Sequence, residues 1–217
     1  MGMVLRVLLM VSLVGAILFG SAGHFALPMF WGLLIVFAAY CVIVLLTIDR
    51  SLLQERMRPG PGGKDRLMRL IAMPFVLAHL VVAGLDVGRF GCSNTVPLGI
   101  QIAGLVGYAV SLALAYWAMA VNRFFSSVVR IQQDRGHHLI TTGPYRYVRH
   151  PGYAGGLVAC LCSGLALGSW WSLLPAAGMV LGFLRRTVME DRFLKQELPG
   201  YPEYAQQVRF RLVPGVW

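Results

Sequence analysis

The side chains best suited to chemistry lie in one short segment, Gly143–Tyr153. It contains two arginines, one histidine and three tyrosines, and it leads directly into a long apolar run. Pro151 biases His150 away from the α region, so we expect this histidine on extended backbone. Ionisable groups on irregular backbone beside a membrane segment are costly unless they face protein or a polar cavity. The segment therefore predicts one wall of a binding site, although a basic loop that contacts lipid headgroups would have the same composition.

A guanidinium and a carboxylate follow further along the chain. Arg186 and Glu190 are spaced i,i+4, so they share one face of a separate helix predicted over Arg185–Arg192. A helical hairpin over Pro151–Leu184 would leave one membrane face and return to it, which brings His150 close to Arg186. An imidazole, phenols, a guanidinium and a carboxylate at the lipid boundary suit a zwitterionic ligand with aromatic parts. An ordinary surface ion pair is the alternative interpretation of Arg186 and Glu190.

The elements that must position these groups are membrane helices. Of 217 residues, 57% are hydrophobic and only 13% are charged, whereas soluble domains average about a quarter charged. Six apolar stretches are present: Met3–Gly20, Phe30–Ile48, Leu67–Val87, Val96–Val121, Pro151–Leu167 and Trp170–Leu184. The first four reach the length of about 17–25 residues that a span requires, and the last two predict a tilted hairpin. We expect an all-α polytopic membrane bundle, with scaffold helices in residues 1–121 and the chemical motifs in residues 122–217.

The net charge of +10 is distributed unevenly along the chain. Of 19 basic residues, five lie in Asp49–Arg66, five in Asn122–His150 and six in Arg185–Trp217. The loops Ser21–Met29 and Gly88–Thr95 are nearly neutral. By the positive-inside rule, this alternation predicts that both termini and the site face the cytoplasm (of the inner membrane, for a bacterial source). The lipid bilayer accounts for the basic charge, and no nucleic-acid partner is required.

The sequence favours structural roles for the other residues that could belong to a functional site. His79 and Asp86 lie seven residues apart on one helical face, and a hydrogen-bonded interior histidine is the favoured interpretation. The prolines and glycines of the loop Arg50–Arg66 argue against a helix there. Small residues in the fourth span, Gly99, Gly104 and Gly107, would allow close helix approach. The four cysteines are not spaced as metal ligands, so no metal site is expected.

Four separated pieces together resemble the isoprenylcysteine carboxyl methyltransferase family, which is related to the membrane phospholipid methyltransferases. They are His137-His138-Leu139-Ile140-Thr141-Thr142-Gly143-Pro144-Tyr145, Arg149-His150-Pro151-x-Tyr153, Arg186-x-x-x-Glu190, and Gly200-x-x-x-Tyr204 with Arg211-Leu212-Val213-Pro214-Gly215. The resemblance implies S-adenosyl-L-methionine as methyl donor, S-adenosyl-L-homocysteine as product, and a cytoplasm-facing cofactor pocket.

By position, the resemblance also implies a set of site residues. The cofactor contacts would be Arg130, His137, Leu139, Ile140, Tyr145, His150, Pro151, Tyr153 and Glu190. Arg186 would stand on the acceptor side, and Arg186 and Glu190 would be the catalytic pair. Arg130 departs from the pattern, because eukaryotic members carry a glutamine there.

The predicted function is methyl transfer to a lipophilic acceptor. A carboxylate acceptor needs only a cation to orient it, and Arg186 suits that role. A phospholipid amine or a small thiol would instead need a base, for which His150, Glu190 and Asp191 are candidates. A non-catalytic membrane protein or small transporter is the alternative of another class, but transport predicts ionisable groups near the bilayer midplane. The sequence leaves the acceptor and the oligomeric state open.

Overall fold

The computed structural model describes residues 2–63 and 66–217, without the side chains of residues 66–71. Met1, and Lys64 and Asp65 of the predicted basic loop, lie outside the described residues. Every regular element in the described part is helical. The elements are α1 (Met3–Ala22), α2 (Pro28–Thr47), α3 (Arg50–Met57), α4 (Arg66–Gly84), a π-helical turn (Leu85–Phe90), α5 (Leu98–Val121), 3₁₀ turns at Gln133–Arg135 and Gly143–Arg146, α6 (Pro151–Ala166), α7 (Leu173–Glu197) and α8 (Tyr201–Gln207).

Four helical stretches are long and apolar enough to cross a membrane. They are Met3–Ala22, Pro28–Thr47, Ala72–Phe90 and Leu98–Val121, and they match the four predicted spans. Large apolar side chains such as Leu13, Leu46 and Val110 are exposed on their outer faces. Lipid chains are the environment in which such surfaces are stable, and helices satisfy their own backbone hydrogen bonds there. The prediction of an all-α polytopic integral membrane bundle is confirmed.

Glycines bring α5 and α6 together at close range. A Cβ on Gly104 would lie 2.6 Å from the backbone nitrogen of Ala166, and one on Gly107 would lie 2.7 Å from Sγ of Cys162. These two predicted small residues are therefore packing positions, as close helix contact in lipid requires. Gly99, the third, faces open space and has no such role.

The second arm of the hairpin differs from the prediction. Helix α7 runs without interruption over Leu173–Glu197, so the separate helix predicted over Arg185–Arg192 is wrong. The residues after Gly182 are mostly good helix formers, and the next proline is Pro199, beyond the end of the helix. Arg186 and Glu190 are consequently carried by the same rigid element as the apolar arm.

The loop Arg50–Arg66 was expected to lack a helix, and this is wrong for its first eight residues. The carboxylate of Asp49 accepts hydrogen bonds from the backbone N–H groups of Ser51 at 2.8 Å and Leu52 at 3.4 Å, so it caps α3. The proline- and glycine-rich run begins only after Met57, where α3 ends.

The bundle has two distinct polar ends. The charged end comprises α3 and residues 122–150 and 185–217. The far end comprises residues 23–27, 85–97 and 167–172. Among described side chains, Arg89 is the one arginine or lysine at the far end, where its guanidinium donates to the carbonyl of Ser21 at 2.7 Å. The fold thus gathers the basic segments at one end.

Candidate functional site

A cavity of about 370 Å³ lies at the charged end. This volume is within the range of about 300–1,000 Å³ that small-molecule sites occupy. Nine residues predicted for the site line it: Arg130, His137, Leu139, Ile140, Tyr145, His150, Tyr153, Arg186 and Glu190. Pro151 does not line it. That residue is buried at the first position of α6, where its fixed φ suits helix initiation.

Tyr145 is locked in place by bonds at both ends of the residue. Its hydroxyl accepts from Nδ2 of Asn122 at 3.0 Å and donates to the carbonyl of Ala118 at 3.4 Å. Its own carbonyl accepts from the hydroxyl of Tyr204 at 2.7 Å. The chain turns into this position at Gly143, where φ is +58°, a left-handed conformation that glycine adopts without strain. Tyr145 therefore forms a rigid part of the cavity wall.

The backbone around His150 is held by the C-terminal tail. The N–H groups of Arg149 and His150 donate to the carbonyls of Phe210 at 3.0 Å and Arg211 at 2.9 Å. His150 has φ −128° and ψ 60°, outside the α region as the following proline requires. Its imidazole stacks on Tyr153, with ring centroids 5.8 Å apart and planes 11° apart.

Asp191 is the centre of a buried ionic cluster, called here the charged-end cluster. Its members around the carboxylate are Arg149, His150, Lys195, Tyr201 and Arg211. Nε of Arg149 donates to Oδ1 at 2.7 Å, Nε of Arg211 donates to Oδ2 at 3.1 Å, and the Lys195 ammonium lies 3.1 Å from Oδ2. The Asp191 side chain is fully buried. Three cations stabilise its ionised form, so Asp191, one of the predicted candidate bases, is poorly suited to accept a proton.

The hydroxyl of Tyr153 connects the predicted catalytic pair. It donates to Oε2 of Glu190 and accepts from Nε of Arg186 at 2.7 Å. The Arg186 guanidinium also lies over the tyrosine ring, 5.5 Å from its centroid, and donates through Nη2 to the carbonyl of Ser127 at 2.9 Å. One phenol thus fixes a cation and an anion at adjacent points on the cavity wall.

Another part of the cavity wall is formed by His137 and its neighbours. The His137 ring packs on Phe124 with centroids 4.5 Å apart, and its Nδ1 accepts the backbone N–H of Gln132 at 3.2 Å. Burial, and then the positive charge of nearby basic groups, lowers the pKa of His137 to about 4. The ring is therefore neutral at physiological pH. Leu139 packs against the buried cluster formed by Leu198, Tyr201 and Tyr204.

Arg130 has a partner that the sequence reasoning missed. Its Nε and Nη2 donate to the two carboxylate oxygens of Glu55, both at 2.9 Å, and its Nη1 donates to Asp134 at 2.8 Å. Burial acts to raise the pKa of Glu55, but hydrogen bonds from Arg130, Ser126 and the Gly60 N–H together hold it below its usual value. Arg130 therefore lines the cavity while joining the segment after α5 to α3.

Two cavity residues come from the N-terminal half, which was interpreted as scaffold. Tyr40 of α2 and Arg56 of α3 both line the cavity. No local motif marks either residue. The one available signal was that Arg56 belongs to a basic loop on the predicted cytoplasmic side.

His79 and Asp86 lie in a second polar group, called here the far-end cluster, with Ser93, Ser163, Ser169 and Ser172. Nδ1 of His79 lies 2.9 Å from the Ser172 carbonyl, and its Nε2 lies 3.0 Å from the Ser163 hydroxyl. The cluster does not line the cavity. His79 is the hydrogen-bonded interior histidine that the sequence favoured.

The arrangement suits binding of a charged organic molecule. Within the described part of the chain, no group of three or more histidine, cysteine, aspartate or glutamate residues is placed to hold a metal ion. The cavity instead offers the Glu190 carboxylate, four guanidinium groups of which those of Arg56 and Arg186 come from α3 and α7, ring side chains and apolar side chains. These groups match a ligand that carries both charge signs and an aromatic system.

Comparisons with known proteins agree with this chemistry. Residues 100–199 match the family model described as phospholipid methyltransferase. The chain is similar to a probable protein-S-isoprenylcysteine O-methyltransferase of Oryza sativa subsp. japonica, with 31% identity over 144 residues, which is 64% of this chain and 72% of the relative. It is also similar to the protein-S-isoprenylcysteine O-methyltransferase of Schizosaccharomyces pombe, with 31% identity over 151 residues, 68% of this chain and 58% of the relative. Protein-S-isoprenylcysteine O-methyltransferase B of Arabidopsis thaliana is 33% identical over 92 residues, 42% of this chain and 47% of the relative.

The rice relative is matched over more than two thirds of its length. Residues 100–199, which match the phospholipid methyltransferase model, contain the cavity motifs from His137 to Glu190. The chain belongs to the isoprenylcysteine carboxyl methyltransferase family and is an integral membrane methyltransferase.

Proposed function

We propose that this enzyme takes its methyl group from S-adenosyl-L-methionine held in the charged-end cavity, and transfers it to the carboxylate of a lipophilic acceptor. The observation that carries the proposal is the Tyr153 hydroxyl, which holds Glu190 and Arg186 side by side on the cavity wall. One residue of this pair attracts a cation and the other attracts an anion. A methyltransferase with a cationic donor and an anionic acceptor needs both.

The residues present fit the donor. S-adenosyl-L-methionine has a sulfonium, an ammonium, a carboxylate and an adenine ring, and when bound it supplies an activated methyl group. Glu190 would attract its positive charge, the neutral His137 ring and Leu139 would contact apolar parts, and Tyr145 and His150 would shape the surface between them. Because the cavity is largely preformed by hydrogen bonds, little ordering would oppose binding.

The chain's own contribution is alignment. A carboxylate is already a nucleophile, so no side chain has to remove a proton. Arg186 is fixed by Tyr153 and by the Ser127 carbonyl, and a guanidinium fixed in this way can orient an acceptor carboxylate. Correct positioning of two reactants can contribute on the order of 7–11 kcal/mol to lowering a barrier.

An amine or thiol acceptor is the second candidate, and the match to a model described as phospholipid methyltransferase favours the amine. It requires a base that can accept a proton during transfer. The ionic partners of Asp191 exclude it from that role, which leaves His150 and Glu190. The names of the curated relatives favour the carboxylate of an isoprenylated cysteine as the acceptor here.

Measurements of donor binding and of turnover distinguish the proposed roles of Glu190 and Arg186. We expect Glu190→Gln to weaken binding of S-adenosyl-L-homocysteine by about tenfold, as loss of a charge-assisted contact implies. We expect Arg186→Ala to lower turnover while donor affinity changes little. Calorimetry and transfer of labelled methyl to prenylcysteine, phospholipid and thiol acceptors would measure both. Arg185→Ala removes an exposed neighbouring charge and is the matched control.

Two results would contradict this scheme. Well-folded protein that binds neither S-adenosyl-L-methionine nor its product would exclude the proposed donor site. Full turnover by Arg186→Ala with every acceptor would exclude carboxylate orientation by that residue and favour an amine or thiol acceptor.

We also propose that the charged end faces the cytoplasm, where the methyl donor is made. The support is the contrast between the basic charged end and the far end, where Arg89 is the one described arginine or lysine. Cys92 is exposed at the far end, so it should react with an impermeant thiol reagent in intact cells. A cysteine introduced at Ser51, on α3, should not react. The reverse labelling pattern would place the site on the side without donor.

A further inference from the structure

Arg56 is an unassigned cation in the wall of the cavity. The cap at Asp49 starts α3, and Leu52 anchors the helix by packing with Ile48 and Met119. One turn after Leu52, the Arg56 guanidinium lies over the ring of Phe125, 4.9 Å from its centroid. An arginine stacked on an aromatic ring keeps its N–H edge available for a ligand.

The hydrogen bonds of Arg56 leave most of its donors unused. Within the described part of the chain, its guanidinium makes one hydrogen bond, from Nη1 to the Phe125 carbonyl at 3.4 Å, and no ion pair. The carboxylate next to it in sequence, Glu55, is already bonded by Arg130 and Ser126. Burial lowers the pKa of Arg56 from its ordinary value, Tyr40 and Tyr153 act against this shift, and the like charge of Arg186 adds to it. An anion in the cavity would relieve this repulsion.

Arg56 and Arg186 are attached to the same three-residue segment. Phe125 accepts from Arg56, the Ser127 hydroxyl donates to the Arg56 carbonyl at 2.7 Å, and the Ser127 carbonyl accepts from Arg186 at 2.9 Å. The segment therefore places a guanidinium from the N-terminal half and one from α7 around one cavity. A guanidinium can bind a carboxylate or a phosphate through two parallel hydrogen bonds, so two arginines around one cavity suit an anionic group.

We propose that Arg56 and Arg186 together form the subsite for the anionic head group, a carboxylate or a phosphate, of an amphiphilic ligand. This rests on the proposed function, in which that ligand is the methyl acceptor. Arg56 lies outside the matched region 100–199, so the acceptor preference of this enzyme would depend partly on its N-terminal half.

Direct binding of three probes with the same chain tests the subsite without requiring turnover. The probes are dodecanoate, dodecyl phosphate and the neutral dodecanamide, measured on the full chain in a neutral detergent. We expect Arg56→Gln to weaken the better-bound anion by about tenfold, the effect of losing one charge-assisted bond. Binding of dodecanamide and of S-adenosyl-L-homocysteine should stay within about twofold, and Arg56→Lys should recover part of the loss. The larger of the two anion effects identifies a carboxylate or a phosphate site.

Arg58→Gln is the matched control, because it removes an exposed arginine from the same connection without touching the cavity. Equal weakening of the amide and both anions by Arg56→Gln would mean that Arg56 only packs against Phe125, and would overturn the inference. Equal effects of Arg58→Gln and Arg56→Gln would overturn it in favour of general surface charge. If Arg56→Gln does not fold, Arg56→Lys is used to compare binding of the anions with binding of dodecanamide. If Arg56→Lys then leaves anion binding unchanged relative to dodecanamide binding, the inference is overturned.

Failure of the proposed function would look different. In that case the wild-type protein would bind no S-adenosyl-L-homocysteine and transfer no methyl group, whatever the behaviour of the Arg56 variants toward the probes.

Discussion

The two ends of this bundle each bury a carboxylate, and they stabilise it in opposite ways. At the charged end, Asp191 is surrounded by Arg149, Lys195 and Arg211. At the far end, Oδ2 of Asp86 accepts from the hydroxyls of Ser93 at 2.6 Å and Ser169 at 2.5 Å. Oδ1 of Asp86 has no hydrogen-bond partner among the described residues. One carboxylate is paired with cations, and the other is bonded by neutral dipoles.

The difference follows from what each end has to hold together. The charged-end cluster joins three basic segments, namely residues 143–150, α7 and the C-terminal tail after α8. Without the Asp191 carboxylate, the positive charges of these segments would repel each other. The far-end cluster joins the π-helical turn to the short turn between α6 and α7, through Ser93, Ser169 and Ser172. Few charges lie there, so hydroxyl groups suffice. The comparison indicates that, among the described residues, the charged end places its buried ion pairs beside the cavity that Glu190 and Arg186 line.

Two neighbouring carboxylates in α7 also differ, one having a structural role and the other a proposed functional role. Asp191 and Glu190 are consecutive in α7 and therefore point about 100° apart around its axis. Asp191 is directed toward the tail and is fully buried, whereas Glu190 lines the cavity. The buried Asp191 thus stabilises the turn of α7 that places Glu190 in the cavity wall.

Asp191→Asn should have the largest effect of any single change at the two ends. It removes the negative charge between three cations and leaves the buried Arg149 without its counter-ion. Breaking a buried pair in this way costs about 3–5 kcal/mol. We expect a large fall in the thermal stability of the detergent-solubilised protein, together with loss of S-adenosyl-L-homocysteine binding, because His150 and α7 share the cluster.

Asp134→Asn is the matched control for that prediction. Asp134 also pairs with an arginine, Arg130, but its side chain is 55% exposed, and solvent screens such a pair so that it contributes little to stability. Equal melting temperatures for the two variants would contradict the structural role assigned to Asp191.

Asp86→Ala should have a smaller effect, and it should be confined to stability. The substitution leaves the hydroxyls of Ser93 and Ser169 without their acceptor, and unsatisfied buried groups cost about 1–3 kcal/mol. Because the far-end cluster does not line the cavity, donor affinity per folded molecule should change by less than about twofold. Calorimetry on the folded fraction, with melting measured in parallel, tests this separation. Loss of donor binding in a fully folded Asp86→Ala protein would show that the two ends are coupled.

The sequence predicted the parts of the molecule that depend on local patterns. Span lengths gave the four membrane helices. The effect of proline on its predecessor correctly excluded the α region at His150, but with ψ 60° the backbone there is not the extended one that was predicted. The hairpin argument correctly brought His150 and Arg186 to one cavity. In each case the evidence lies in neighbouring residues or in the fixed thickness of a bilayer.

What the sequence could not predict depends on contacts between distant segments. Glu55 and Arg130 are 75 positions apart, and nothing local marks them as partners. Asp191 was a candidate base until its neighbours from the tail were known. The end of the apolar stretch at Leu184 suggested a break in α7, but helix formers continue across it, because hydrophobicity and helix propensity are separate properties.

The smallest predicted effect concerns His137, a group at the charged end that is held neutral. Its pKa of about 4 compares with an ordinary value of 6.5. Between these values the unfolded chain binds a proton that the folded protein excludes, so stability is lost as pH falls from about 6.5 to 4. Protonation also removes the Nδ1 lone pair that accepts the Gln132 N–H. Above pH 6.5 both states are neutral and His137 contributes no pH dependence.

His137→Asn should therefore reduce the loss of stability as pH falls below about 6.5, and it should leave the pH dependence of stability above that value unchanged. A shift of 1 kcal/mol corresponds to about 2–4 °C in melting temperature for a chain of this size, so the difference between variant and wild type should be a few degrees at pH 4.5. His24→Asn removes an exposed imidazole at the far end and is the control for loss of a titratable ring. The difference in melting temperature between wild type and His137→Asn could instead stay constant from pH 8 to pH 4.5. That result would mean that His137 is not held neutral by the cavity wall. In acid, His137 would then be charged like the other basic groups of the charged end. The two ends would differ only in how many charged groups they contain.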